Sequence, residues 1–257
     1  MHNTQLFVDK HSIVRKIWGR ADTVLFIFAG ASAEFALNKA VDWLYFTDKL
    51  PADPLEQLFS TVNYARMIVF SEQEKAFNAI DQIAAIHKGV EEKRGGKIPD
   101  WAYRDVLFML IDYSIRAYEI LEKPLITAEK EEVFKVFYRV GDRMGIAALP
   151  ENYLAWQQMR TEHINNNMIK SDFTEHLFRQ YKKHLGVGRY VLLLQVQAVL
   201  VPGKVKQLLG LKYLYFLRPV IALYKLFRKI RIDEIITDAI LPADYKLQIK
   251  ALNIPNR

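Results

Sequence analysis

The stretch Tyr103-Arg104-Asp105-Val106-Leu107-Phe108-Met109-Leu110-Ile111-Asp112-Tyr113-Ser114-Ile115-Arg116-Ala117-Tyr118-Glu119-Ile120-Leu121 repeats its apolar positions every three or four residues. Val106, Met109, Leu110, Tyr113 and Ala117 thereby fall on one stripe of an α-helix. Asp100 opens this helix, and Pro124 closes it because proline disfavours helical backbone at the residue before it. The same period recurs along the chain, whereas the alternation of two that a half-buried strand needs is almost absent. The pattern predicts an all-α fold, a single globular multi-helix domain.

Working outward from this helix, Ser71 with Glu72 and Glu74 starts a preceding helix that runs to the basic Gly95-Gly96 turn. Before it, helices are predicted from Leu55 to Phe70 and from Asp22 to Phe46, the latter ending ahead of Pro51 and Pro54. Downstream, Thr127 to Met144 reads as a helix stopped at Gly145, and a more polar helix runs on from Tyr153 through His163. Phe173 to Leu185, Tyr190 to Leu200 and Lys204 to Arg231 complete the set, with a kink at Pro219. The expected organisation is a leader over residues 1–20, a core over 21–211 and a basic helical extension over 212–257.

The 257 residues are 51% hydrophobic, with 15 Phe, 13 Tyr and 4 Trp, enough to build a large aromatic core. There is no cysteine, which excludes disulfides, thiolate metal sites, iron–sulfur clusters and Cys nucleophiles. No export signal is visible, and no run of about 18 apolar residues reads as a membrane span. The expected location is cytoplasmic. The formal charge of +7 concentrates between Gly203 and Arg231, where Lys204, Lys206, Lys212, Arg218, Lys225, Arg228, Lys229 and Arg231 occur without an acid. Interleaved Tyr213, Tyr215, Phe216 and Tyr224 suit either an amphipathic packing helix or a peripheral contact with an anionic membrane surface. No nucleic-acid-binding module accompanies the charge.

Few residues can carry chemistry. His2 and His11 fall in the expected leader, and His163, His176 and His184 lie among polar neighbours that suggest solvated faces. His87 differs: it follows Ile80 by seven residues and Ile83 by four, so its imidazole shares their core-facing stripe. Two readings of it stand on the residues alone. One is a core histidine satisfied by a carbonyl or hydroxyl, and the other is an axial ligand to haem, which needs only one protein ligand. A zinc site lacks His-Glu-x-x-His spacing, a hydrolase lacks its Gly-x-Ser-x-Gly elbow, and Gly95-Gly96 lacks the strand of a phosphate loop.

An ordered series of short motifs bears on the choice. Leu58-Phe59-Ser60-Thr61, Arg66-Met67-Ile68-Val69-Phe70 and Ile86-His87-Lys88-Gly89-Val90 come first, then Asp112 to Glu119. Arg139-Val140-Gly141-Asp142-Arg143-Met144-Gly145, Leu200-Val201-Pro202 and Leu208-Leu209-Gly210-Leu211 follow. In order and spacing the series resembles the haem domain of MpaB-type oxygenases and latex clearing proteins (rubber oxygenases), over most of the chain. The resemblance implies an all-α domain enclosing a pocket for haem b, His87 as the proximal iron ligand, and oxidative cleavage by O2 of a lipophilic, isoprenoid-type carbon–carbon double bond. It also implies a distal Arg, Lys and Thr; here the corresponding residues are Gln57, Ser60 and Thr61, of which only the threonine agrees. Leu107 stands where many relatives carry histidine. Arg66, Arg116 and Arg143 are candidates for the haem propionates, since a guanidinium binds carboxylate as a bidentate fork. The structural alternative for Arg116 and Arg143 is an ion pair with Glu119 or Asp142. For the chain as a whole, the alternative is a non-catalytic helical protein that binds haem without turnover or sits at a membrane surface.

Overall fold

Phe108, Met109, Ile111, Tyr113, Ile115 and Ala117 are all buried, so the Asp100–Leu121 helix presents apolar residues to neighbours on nearly every side. It forms the axis around which the rest is arranged. A computed structural model describes residues 5–46, 52–212, 219, 222–225 and 228. Among them are ten helices and no strand, in one all-α domain. In chain order these are α1 (Ile13–Trp18), α2 (Ala21–Phe35), α3 (Asp42–Tyr45), α4 (Pro54–Phe70), α5 (Gln73–Arg94), α6 (Asp100–Leu121), α7 (Thr127–Arg143), α8 (Tyr153–Asn166), α9 (Asp172–Leu200) and α10 (Gly203–Leu209). No described helix is long and apolar enough to cross a membrane.

α2 lies most closely against α6, and Gly30 is what permits it. A Cβ built on Gly30 would sit 2.3 Å from the Tyr113 ring, so only a hydrogen there lets the two helices close. A second close approach is made by α7. Gly141 of α7 faces Leu107, whose Cδ2 would lie 2.6 Å from an added Cβ. The aliphatic residue at 107 thus fills space against α7, where a histidine would need polar partners.

Residues 5–18, expected as a leader, are instead built into the core. Phe7, Val8, Val14, Ile17 and Trp18 are almost completely buried. Ser12 caps α1 through Oγ, which accepts from the Val14 amide. The Trp18 indole donates to Ser114 Oγ at 3.1 Å and packs edge-on to Phe28. Main-chain bonds from Phe7 N to Ser71 O and from Gln73 N to Gln5 O tie this segment to the turn between α4 and α5. Apolar spacing in so short a piece is easily lost beside the polar residues around it, which is why it reads as a tail.

The helix expected over Asp22–Phe46 stops at Phe35. Asn38 ends it: its Oδ1 accepts from the Ala40 amide while its Nδ2 donates to Asp105 of α6. α4 begins as its sequence requires, with Pro54 in the first turn and Asp53 Oδ1 accepting from the Leu55 and Glu56 amides. α5 ends on Gly95 at φ 72°. The two helices expected between Phe173 and Leu200 run on as α9, but Gly186 at φ 72°, ψ 168° breaks it, a conformation essentially confined to glycine.

Candidate functional site

α4 and α5 are consecutive helices joined by two residues and packed together, an αα-hairpin. At 1.5 Å per residue, Gln57 and His87 both lie about 20 Å from its turn, with Ser60 and Thr61 about one helical turn nearer. In an antiparallel hairpin of this length Gln57, Ser60 and Thr61 stand at about the axial height of the α5 half that carries His87. Thr61 Oγ1 donates to the Gln57 carbonyl at 3.0 Å, and Ser60 is exposed.

The half of α5 around His87 is thinly covered. All its buried residues, Ala76, Ala79 and Ile80, lie in its first half, ahead of Asp81, and Ile86 beside His87 is 53% exposed. Within this setting the His87 ring is still half-buried, and Nδ1 is sealed from solvent with no hydrogen-bond partner. The carbonyl or hydroxyl that the core-histidine reading requires is absent at that nitrogen. Burial lowers the His87 pKa, with Glu91 acting in the opposite direction. Tyr103 of α6 lies against the imidazole, ring centres 5.2 Å apart.

The candidate arginines are dispersed. Arg66 stacks over Phe70 within α4, and burial lowers its pKa. Arg116 pairs with Asp112 at 2.7 Å, one turn back on α6, rather than with Glu119. Arg143 forms a bidentate fork with Asp81 of α5, at 2.8 and 2.6 Å, rather than meeting Asp142. Arg116 and Arg143 are thus matched to carboxylates within the protein.

A second polar centre was missed by the sequence reading. Glu34 of α2, Asp105 and Asp112 of α6, and Arg160 and His163 of α8 converge in the core, every one of them buried. Arg160 forks onto both oxygens of Glu34, reaches Asp112 at 3.1 Å and lies 3.5 Å from Asp105. Tyr113 donates to Glu34 at 2.7 Å, and His163 Nε2 meets Asp105 at 2.5 Å. Burial alone would lower the Arg160 pKa, but Glu34 and Asp112 outweigh it and hold the guanidinium protonated. Burial pushes the Glu34 carboxyl up against the pull of Arg160. His163 is therefore no solvated residue, as its polar neighbourhood suggested. Glu34, Asp105 and His163 offer ligand atoms within 4.8 Å of one another, the one described group of that kind, though Arg160 already supplies a cation to it. The signal lay in the spacing. Glu34 interrupts an apolar helix, Asp105 and Asp112 share one face seven residues apart, and Arg160 precedes His163 by three.

Of the basic segment over 203–231, residues 213–218, 220–221, 226–227 and 229–231 lie outside the described residues. Arg228 is buried, with Nε 3.0 Å from Asp22 and a guanidinium hydrogen donated to Thr23. At least this basic residue is used in packing against α2. A cleft of about 410 Å³ opens beside α9, lined by Lys170, Glu175, Tyr190 and Lys212 among others. None of the candidate site residues lines it.

A family model described as ER-bound oxygenase mpaB/B'/Rubber oxygenase, catalytic domain, matches residues 15–229. No curated protein and no solved structure matches the chain.

Proposed function

The chain belongs to the mpaB/rubber oxygenase catalytic-domain family, and from that premise we propose that it is a haem b-dependent oxygenase acting on a lipophilic, isoprenoid-type double bond. The observation that carries the proposal is His87. A half-buried imidazole on a helix stretch with no fully buried neighbour, its Nδ1 orphaned, is unsatisfied as a core residue. It suits a ligand whose Nε2 bonds a metal and whose Nδ1 awaits an acceptor. The residue beside the histidine fits a haem on this side: exposed Ile86 would gain cover from a flat apolar macrocycle. Of the three candidate arginines, Arg116 and Arg143 would have to surrender Asp112 and Asp81 before either could meet a propionate.

Bound there, haem would supply dioxygen chemistry that no side chain of this chain can. The chain's own residues hold and shield. His87 donates the nitrogen ligand, Tyr103 braces its ring, and α4 walls the other side with Gln57, Ser60 and Thr61. The Thr61 hydroxyl directs its hydrogen to the Gln57 carbonyl, which leaves its oxygen lone pairs as acceptors toward the pocket.

That commitment of Thr61, together with neutral Gln57 and Ser60 in place of charged distal groups, favours a second reading: a haem-binding protein without turnover. Reconstitution with haemin followed by pyridine haemochrome assay should give one haem per chain. Incubation with isoprenoids under O2 should then yield paired carbonyl products. Haem without products across a substrate panel supports the second reading, and no haem contradicts both.

A further inference from the structure

One turn beyond His87, at the fourth residue along α5, stands Glu91. Residues so spaced share a helix face, and helical side chains lean toward the amino terminus, which carries the Glu91 carboxylate back over the turn of His87. The carboxylate is held from two directions. The Ile98 amide donates to Oε1 at 2.8 Å, across the Gly95 turn, and the Tyr103 hydroxyl donates to the same oxygen at 3.1 Å. Oε2 accepts no hydrogen bond among the described residues. The ring that carries the Tyr103 hydroxyl is also the one lying against the His87 imidazole. Tyr103 thus joins the histidine and the glutamate into one unit.

Within this unit one donor site and one acceptor are unmatched: Nδ1 of His87, sealed without a partner, and Oε2 of Glu91. We propose that Glu91 is the positioning residue of His87, its carboxylate accepting a hydrogen bond from Nδ1–H so that Nε2 alone is presented as the ligand atom. Tyr103 and the Ile98 amide hold Glu91 for that role. The assignment rests on the haem reading of His87. A carboxylate on the outer nitrogen fixes the ring tautomer, makes the imidazole a stronger donor and lowers the reduction potential of the iron it holds. Glu91 touches neither substrate nor iron.

The test uses the haem-reconstituted full chain and compares wild type, Glu91→Gln and Tyr103→Phe, each checked by far-ultraviolet circular dichroism. Resonance Raman of the ferrous protein reads the iron–histidine stretch directly. Glu91→Gln is expected to shift that stretch to lower frequency, to move the midpoint potential positive, and to raise the haem dissociation constant about 10- to 100-fold. Tyr103→Phe, which removes one of the two donors to Oε1, is expected to shift the stretch in the same direction by less. It also serves as the reporter if Glu91→Gln does not fold. A stretch and potential unchanged in the folded variants overturn this assignment while leaving the haem reading intact. Absence of any Soret band in the wild-type chain overturns the haem reading and this assignment with it.

Discussion

Single residues decide how closely the helices meet, and two glycines show how different their roles are. At Gly30 a methyl group would enter the fully buried Tyr113 ring, a contact that neither helix can relieve without moving. Gly30→Ala is expected to destabilise the protein by about 1–3 kcal/mol, measured by urea unfolding. Gly89, inside α5 with nothing within 4 Å of an added Cβ, should behave oppositely. Gly89→Ala is expected to stabilise by about 0.5–1 kcal/mol through helix propensity alone. Ion pairs sort by exposure in the same way. The Arg143–Asp81 fork has short bonds but leaves both side chains nearly half exposed, so Arg143→Ala should leave the urea midpoint almost unchanged, because solvent screens the pair. His87 was legible because a polar residue on an apolar stripe is conspicuous. Glu91 was not, since a glutamate near a helix end looks like any solvated charge until Tyr103 and Ile98 are seen to converge on it.

At the scale of elements, Arg160 joins three helices through one guanidinium, bonding Glu34 of α2 and Asp112 of α6 from α8. Arg160→Met would strand buried carboxylates, and a loss of about 3–5 kcal/mol is expected in the same unfolding assay. Adding Glu34→Gln to that variant should recover part of the loss, because the stranded charge is removed with its partner. Most helix boundaries were legible from periodicity and punctuation. Asp53-Pro54, Gly95 and Gly145 stand where α4, α5 and α7 begin or end, each for a backbone reason that proline, glycine or a capping carboxylate imposes. The two departures have a common cause. α2 stops early at Phe35, ahead of Asn38, and residues 5–18 enter the core because of partners distant in sequence, Asp105 in one case and Ser71 and Ser114 in the other. Local pattern carries no trace of such partners, and the buried network eluded the sequence reading for the same reason.

For the whole molecule, the aromatic core has a consequence at high pH. Burial raises the phenol pKa of Tyr103, Tyr113, Tyr153 and Tyr181 above its ordinary value, Tyr153 to about 12. An unfolded tyrosine ionises near pH 10, so above that pH the folded chain holds protons that the unfolded chain releases. The stability these groups provide is complete below about pH 10 and is lost as pH rises toward 12. The melting temperature should therefore fall steeply over that interval, with the buried tyrosines' share of the phenolate absorbance at 295 nm appearing together with unfolding rather than before it. The family and the all-α architecture were readable because they rest on motif order and period along the whole chain, whereas the surroundings of His87 depend on how α5 stands against α6.

The proposed ligation of haem iron by His87 is tested most directly by chemical rescue. Haemin is added to wild type and to His87→Gly, the latter with and without free imidazole, and the Soret band is recorded. The predicted result is a band in the wild type that His87→Gly loses or shifts and that imidazole restores by occupying the space the side chain leaves. A His87→Gly spectrum identical to that of the wild type without imidazole, or no band in either protein, would contradict ligation by His87.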